Sequence, residues 1–432
     1  MSKEIKVFKF GGASIKNAEA IKNVVEILKK FEDQSIIIVV SATGKTTNAL
    51  EKVIEAHVKQ DGSATGLLNE IKENHYKIIR DLFGEKHEVY SVVNDTFVEI
   101  DWVLEEEPHE NYDFMYDQIV SVGELVSSKI VHAYLNEIGF TSSWLDARDI
   151  IRTNNIYREG WVMWDETLKN AIEKVPPLLK KGGFVITQGF IGSTSENYTT
   201  TLGREGSDYS AAIFSYCLDA ESMTIWKDVP GVLTADPRIF DDVIKLDRLS
   251  YREAIEMTYY GAKVIHQKTI KPLQNKSIPM YVKSFIEPLG DGTFISDEVV
   301  DNYPPIVSIE SNQALLYIST KDFSFVAEHH LSYLFKLIAE HRIQVNMMQN
   351  TAISFAVCVN DIDDRIQRFT DSIQKNFKVV VDRNLELIAV RHYQKELLQN
   401  LKTNKIVLLE ERIRQTVQLV VKNVPLMQRK EL

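Results

Sequence analysis

The sequence predicts an α/β protein: an open, mainly parallel sheet with helices on both faces, followed by an α+β region of ferredoxin-like order. Three observations carry that prediction. Apolar runs of strand length alternate with helical stripes in the first 300 residues. A Pro-containing segment, Asp301-Asn-Tyr-Pro-Pro305, then reads as a linker. Beyond it strands and helices follow in the order βαββαβ over about 70 residues, the order of a ferredoxin-like unit.

Ile5 to Phe10 alternates as a strand and stops at Gly11-Gly12. Ala18, Ile21, Val24, Leu28 and Phe31 recur at helical spacing. Ile36 to Val40 is a run of branched apolar residues, as in a strand buried on both faces. Strand, helix, strand at this spacing is a βαβ unit. Phe184 to Thr187, Met223 to Trp226 and Met280 to Val282 are further buried-strand candidates. Residues 50–135 are mostly helical in pattern, and the stripe Leu67, Leu68, Ile71, His75, Ile78, Ile79, Leu82 reads as packing. Glu105-Glu-Glu-Pro108 reads as a solvated loop. After the linker, strands are expected at Ala314–Ser319, Ile343–Met348, Ser354–Asn360 and Phe377–Val381, with helices at Leu331–Ala339 and Ile362–Gln374. Leu385–His392 and Ile406–Val421 can supply further strands, but a helix is hard to place in that last stretch.

The chain has 432 residues, 44% hydrophobic and 26% charged, enough for two or three folded domains. Its formal net charge of −11 argues against a nucleic acid or an anionic membrane as partner. It does not exclude phosphate or carboxylate ligands held by a local cluster of Lys and Arg. Two cysteines, Cys217 and Cys358, give neither a disulfide framework nor zinc spacing, and no separate protein metal site is evident in the spacing of His, Cys, Asp and Glu. The start of the chain does not fit a signal peptide, and no apolar run approaches the roughly 18 residues of a membrane helix. A cytoplasmic location is the expectation.

Several turns carry chemistry. Lys9-Phe-Gly-Gly12-Ala-Ser14 lies between the first strand and the first helix, where glycines and a helix N-terminus can seat a phosphate beside a lysine. A plain tight turn is the alternative. Gly44-Lys45-Thr46 invites comparison with a P-loop, but the position five residues before the Gly-Lys pair is Val39, inside the strand, so that reading fails. What remains is a hydroxyl-rich turn with Ser41 and Thr47 at the carboxyl edge of the sheet, where open parallel sheets bind ligands. Thr199-Thr-Thr-Leu-Gly-Arg204-Glu-Gly-Ser-Asp208 sets one Arg, one Ser and one Asp among glycines ahead of a helix. Arg offers a planar fork that matches a carboxylate. Asp208 either caps the helix or orients lysines around a phosphate. Lys227 to Arg238 is a turn-rich loop after a strand, and Gly261-Ala-Lys263-Val-Ile-His266 brings another lysine, with His266 read as a packed structural histidine.

At these residues the chain resembles the amino-acid kinase family and, within it, aspartate kinases. The matching segments are Lys9 to Gly12, Ser41 with Thr47-Asn48, Val122-Gly-Glu124, Thr187 to Gly192, Thr199 to Asp208, Asp228 to Gly231, Ala235 to Arg238 and Gly261 to Lys263, in order over residues 7–296. The later βαββαβ unit is similar to the ACT regulatory domains that follow this kinase domain. The resemblance implies a catalytic domain over 1–300, an ACT-like domain over 306–381 and a shortened second ACT-like unit over 382–432. It implies ATP-dependent phosphorylation of the L-aspartate side chain to 4-phospho-L-aspartate, with Mg²⁺ entering on ATP. Lys9 and Asp208 are the implied catalytic residues. Ser41, Thr47, Glu124, Arg204 and Ser207 would hold aspartate. Lys9, Gly11, Gly12, Ser14, Lys227, Asp228, Leu233, Arg238 and Lys263 would hold the nucleotide. A homodimer and an amino-acid effector at the ACT-like region are implied as well.

This chain departs from many relatives at Glu205, where they have glycine. In lysine-sensitive relatives a Gly-Phe pair precedes the first ACT helix and an Asp faces the effector's ammonium group, and here the aligned residues are His329-His330 and Asn346. Weak or absent inhibition by lysine is therefore expected. The alternatives are a catalytically silent sensor of the same fold and a kinase for glutamate or acetylglutamate. Retention of Lys9, Glu124, Arg204 and Asp208 disfavours the first. The Thr199–Asp208 run and the long helical insert disfavour the second.

Overall fold

The computed structural model describes residues 4–262, 265–300, 302–322, 324–362 and 364–424. It divides into two compact units. The first comprises Met1–Val232, Lys245–Ile255 and Val264–Val300, and the second Leu233–Ile244, Glu256–Lys263 and Asp301–Leu432.

The first unit begins with β1 (Ile5–Phe10), α1 (Ala18–Leu28) and β2 (Ser35–Val40), the expected βαβ opening. Every residue of β2 is buried, as its unbroken apolar run requires. Four helices follow: α2 (Thr46–Lys59), α3 (Ala64–Phe83), α4 (Val89–Glu105) and α5 (Tyr112–Glu137). The α3 stripe is packing, with Leu68, Ile71, His75, Ile78 and Ile79 all buried. Burial pushes the pKa of His75 down, and its Nδ1 bonds the Ile71 carbonyl at 2.7 Å.

The chain continues through β3 (Ser142–Leu145), α6 (Trp164–Gly182), β4 (Phe184–Gln188), the hairpin β5 (Ile191–Ser193) and β6 (Thr199–Thr201), α7 (Gly206–Cys217) and β7 (Ser222–Lys227). Then come β8 (Arg248–Ser250), α8 (Tyr251–Tyr259), α9 (Gln267–Asn275), β9 (Met280–Ser284) and β10 (Thr293–Ser296). The main sheet has strand order β3-β4-β2-β1-β7-β9-β10-β8, parallel throughout except for the antiparallel β9–β10 pair. Phe10 pairs with Val40 and with Trp226, and Val40 pairs with Gln188. The carboxyl ends of β4, β2, β1 and β7 therefore lie level, and the loops after them leave the sheet along one edge.

The second unit is one six-stranded sheet of order β12-β13-β11-β14-β16-β15. Its elements are β11 (Ile306–Thr320), α10 (Glu328–Glu340), β12 (Val345–Asn350), β13 (Ser354–Asn360), α11 (Arg365–Ile373), β14 (Phe377–Arg391), α12 (Lys395–Lys402), β15 (Lys405–Ile413) and β16 (Thr416–Asn423). Two differences from the sequence reading stand out. Phe377–Val381 and Leu385–Arg391 are one strand, with His392 just past its end, because Asn384 takes a left-handed backbone (φ 60°) and the chain bulges instead of turning away. Asn312 (φ 57°) does the same in β11, where the register with β14 shifts between Glu310 and Leu315. Second, the final stretch does carry a helix, α12. Its eight residues bury only Leu398 and Leu401, too short a stripe to stand out as periodic. The sheet also curls: Tyr317 of β11 reaches the Leu408 carbonyl of β15, two strands beyond its neighbour β14.

Candidate active site

The level edge of the first unit's sheet gathers the motifs. After β1 the chain tightens into a 3-10 turn, Gly12–Ile15, and both the N–H and Oγ of Ser14 close on the Gly11 carbonyl at 3.0 and 2.6 Å. Gly12 is required by close approach: a Cβ there would lie 2.6 Å from the Gly44 carbonyl oxygen and 2.7 Å from that of Ala42. The Gly44 N–H donates to the Gly12 carbonyl at 3.0 Å, so the loops after β1 and β2 are fastened backbone to backbone. Lys9 folds over the first glycine, its Nζ 3.3 Å from where a Gly11 Cβ would be.

Lys9 is almost wholly buried, and its Nζ lies 2.6 Å from Oδ1 of Asp208 in the first turn of α7. Asp208 Oδ2 lies 3.8 Å from Nζ of Lys227 at the end of β7. Burial works to raise the pKa of Asp208, but Lys9 and Lys227 outweigh it and hold the carboxyl below the usual range. A buried carboxylate between two lysines is thus fixed as an anion.

Glu124 sits midway along α5, whose neighbouring residues press on the loop after β2. Gly123 abuts Thr46 and Ala42, and Ser127 Oγ donates to the Ser41 carbonyl at 2.7 Å. Glu124 is buried. It accepts from the Ala42 backbone N–H, its Oε2 has no partner, and burial pushes its pKa to about 8 against the pull of that bond and of Lys9. Arg204 is exposed and makes no ion pair among the described residues. Ser207 stands in the first turn of α7, pressed so near the turn after β4 that a Cβ on Gly189 would fall 2.5 Å from its Cβ. Ser41 is buried, and Thr47 is half-buried in the first turn of α2.

The structure therefore brings Lys9, Gly11, Gly12, Ser14, Asp208 and Lys227 together, with Glu124 close enough to feel Lys9. Asp228 is exposed just beyond Lys227. Leu233 and Arg238 fall in the second compact unit, where Arg238 closes on Asp236 at 2.6 Å and remains exposed. Lys263 lies outside the described residues. His266 caps α9, its ring accepting from the Lys268 N–H at 3.2 Å.

Sequence reading missed the clamp that holds α5 to the β6 hairpin. Asp117 accepts from the Thr201 N–H (2.9 Å), the Thr201 hydroxyl (2.7 Å) and the Arg158 N–H (2.9 Å). Its pKa is pushed to about 6, with burial as the main cause. Gln118 bonds Thr199 through both ends of its amide. The available signal was a carboxylate on the buried face of an otherwise apolar helix, two turns before Glu124.

Residues 4–284 match the model of the amino acid kinase family. Lysine-sensitive aspartokinase 3 of Escherichia coli (strain K12) is 31% identical over 365 residues, covering 83% of this chain and 78% of the relative. The chain belongs to the amino acid kinase family, among the aspartokinases. It spans only 42% of another relative, the chloroplastic bifunctional aspartokinase/homoserine dehydrogenase 1 of Arabidopsis thaliana (29% identical over 388 residues, 86% of this chain). Crystal structures of E. coli aspartokinase III match at 27% identity. The complex with aspartate and ADP (R-state) gives a TM-score of 0.85 over 97% of this chain and 96% of that one. The complex with lysine and aspartate (T-state) gives 0.78 over 96% and 95%. Among the described residues of this aspartokinase-family chain, no helix is long and apolar enough to cross a membrane.

Proposed function

We propose that the chain transfers the terminal phosphoryl group of ATP to the side-chain carboxylate of L-aspartate, giving 4-phospho-L-aspartate, the first step toward lysine, threonine and methionine. The observation that carries this reading is the Lys9–Asp208–Lys227 chain of charges beside a buried Glu124 whose Oε2 lacks a partner. An aspartate side chain in water ionises near pH 3.9, to within about a unit, and is already an anion at neutral pH, so it attacks phosphorus without a general base. The task left to the protein is to bring two anions into line and to neutralise the charge that develops. Lys9, Lys227, the Gly11-Gly12 turn and the start of α7 supply that charge, and Asp208 keeps the two lysines in place. Glu124 receives the substrate ammonium, which also restores its ionised form. Arg204 takes a substrate carboxylate through its fork, with Ser41, Thr47 and Ser207 completing the aspartate contacts. Mg²⁺ enters with ATP as part of the substrate and neutralises its phosphates.

Asp228, Leu233, Arg238 and Lys263 belong to this reading as nucleotide contacts. So do the domain roles: catalysis in 1–300, an ACT-like domain in 306–381, a shorter ACT-like unit in 382–432. A homodimer and an amino-acid effector at the second unit complete it. A silent sensor of the same fold is the second reading. The uncommitted Glu124 and Arg204 argue against it, since a site that had lost its substrate would have no reason to keep a buried carboxylate unpaired.

A coupled ADP-release assay with aspartate, glutamate and acetylglutamate tests the proposal. Turnover with aspartate alone is expected. Turnover only with another acid would reassign the substrate, and ADP release with none of the three would leave the sensor.

A further inference from the structure

Lys16, Lys45 and Lys77 take no part in the proposed mechanism, yet they converge on one cavity of about 370 Å³ between α2, α3 and the loop after β2. Small-molecule sites occupy about 300–1,000 Å³, so this volume suits a small ligand. The three lysines come from separate segments. Lys16 closes the 3-10 turn after β1, Lys45 is the N-cap of α2, and Lys77 lies on α3. Among the described residues none of them has a carboxylate partner, and no Asp or Glu lines the cavity. Glu19, three residues after Lys16, is bonded to Lys22 instead, at 2.9 Å. α2 also opens here with no side-chain cap, so its positive end adds to the three charges. Solvation accounts for one exposed lysine on a helix face. It does not account for three, from three segments, around one cavity without an acid in a chain of net charge −11.

The lining indicates the chemistry of the ligand. Three ammonium groups call for an anion of more than one charge. All three are lysines, which act as point charges, and no guanidinium offers the planar fork that matches a carboxylate. A phosphoryl group, with its charge spread over three oxygens, fits that set. Ala49, Ile71 and Ile78 form an apolar part of the wall, so the ligand carries a small apolar body beside the phosphate. His75 lines the cavity too, and it is a buried polar group that the packing of α3 leaves incomplete. Its Nδ1 donates to the Ile71 carbonyl at 2.7 Å, while Nε2 has no partner. Buried polar atoms without partners are few in folded proteins and collect where function keeps them.

We infer that Lys16, Lys45 and Lys77 form a second anion site, which takes the phosphoryl group of a small phosphate monoester and is coupled to the aspartate site through the loop after β2. Thr43, Gly44 and Lys45 of that loop line the cavity. On its other side the same loop supplies Ser41 and the Ala42 N–H that Glu124 accepts, and Gly44 donates to the Gly12 carbonyl at 3.0 Å. An anion held by Lys16 and Lys45 together braces the turn after β1 against the loop after β2. It thereby steadies the loop that aspartate uses. The binding site stands on its own residues; the coupling rests on the reading of Ser41, Thr47 and Glu124 as aspartate contacts.

The test titrates phenyl phosphate into the full-length chain by calorimetry, with Mg-ADP and aspartate present in excess to fill the active site. One further site per chain is expected. The double variant Lys16→Ala, Lys77→Ala should bind phenyl phosphate roughly tenfold more weakly. Both lysines are exposed, so the variant should fold, and without phenyl phosphate its kcat and KM for aspartate should stay within about twofold of the parent. Phenyl phosphate should lower KM for aspartate at least about twofold in the parent and leave it unchanged in the variant. Benzoate, with the same ring and a planar carboxylate, should bind more weakly than phenyl phosphate, and so should inorganic phosphate, which lacks the ring. No binding with the active site filled would overturn the inference, as would equal binding by the double variant. Benzoate binding as tightly as phenyl phosphate would overturn the phosphoryl assignment, and binding that leaves KM for aspartate unchanged would overturn the coupling. Should the chain turn over no aspartate while Lys16 and Lys77 still govern phenyl phosphate binding, the reading of the active site fails and the second site stands.

Discussion

Asp208 gathers more of the site's charge than any other residue described, lying within reach of both lysines while almost fully buried. Asp208→Asn keeps its shape but frees the lysines, and preorganised charge of this kind is worth about 2.7–4 kcal/mol. The expected outcome in steady-state kinetics is a loss of kcat of roughly 10²–10³, with the ATP complex still measurable by calorimetry. Arg204→Lys should raise KM for aspartate more than KM for ATP, because an ammonium cannot reproduce a two-bond grip on a carboxylate. A larger change for ATP would assign that loop to the nucleotide instead. Glu124 sets a pH dependence. With its pKa raised to about 8 by burial, it is protonated in the free protein below that value and must release that proton to take an ammonium. Hence kcat/KM for aspartate should climb as pH rises through about 8 and level off above it. Stability runs the other way. The folded state binds a proton that the unfolded state has released above its ordinary carboxylate pKa, so stability falls as pH rises from there through about 8. Glu124→Gln should therefore melt higher than the parent at pH above 8 without aspartate, a comparison scanning calorimetry makes directly.

At the scale of elements, the site depends on α5 being held against the β5–β6 hairpin. Asp117 is the main clamp, and Asp117→Ala leaves the Thr201 N–H, its hydroxyl and the Arg158 N–H without their acceptor. Each buried donor left unpaired costs about 1–3 kcal/mol, so a destabilisation of about 3 kcal/mol is expected in urea unfolding. The same variant should raise KM for aspartate, since α5 carries Glu124 and the hairpin leads to Arg204. Unchanged unfolding would mean that α5 is held by packing alone. The glycines act at this scale too. Gly12 and Gly189 matter less for their φ than for the contacts a Cβ would forbid, with the Gly44 and Ala42 carbonyls in one case and Ser207 in the other.

Over the whole molecule, the second unit joins two structural halves in one sheet through the shared long strands β11 and β14. At their bulge lies a neutral amide cluster. Asn346 Nδ2 donates to Gln313 Oε1 (2.8 Å) and Asn360 Oδ1 (2.7 Å), and Gln313 Nε2 reaches the same Asn360 oxygen at 2.8 Å. Asn346 is already committed and brings no charge. If lysine binds there, it forgoes a charge-assisted bond of about 1.5–3 kcal/mol, a roughly ten- to hundredfold loss of affinity. Titrating lysine against the initial rate at low aspartate should accordingly show weak or no inhibition, and strong inhibition at micromolar lysine would place its ammonium elsewhere. The sequence by itself determined the alternation of strands and helices, the order of the loops and the identity of the charged groups in them. Apolar period, glycine and helix-start chemistry are local properties, and they are written in neighbouring residues. It did not disclose α12, whose stripe is two residues long, or the bulges at Asn312 and Asn384 that let strands run on. Only the tertiary structure decided that Asp208 meets Lys9 more closely than Lys227, that Asp117 ties α5 to the hairpin, and that Glu124 and Glu205 each keep a buried oxygen unpaired. Those facts depend on which strand ends lie level and on how far each side chain is removed from water. Both are set by contacts between residues far apart in the chain, and no window of sequence contains them.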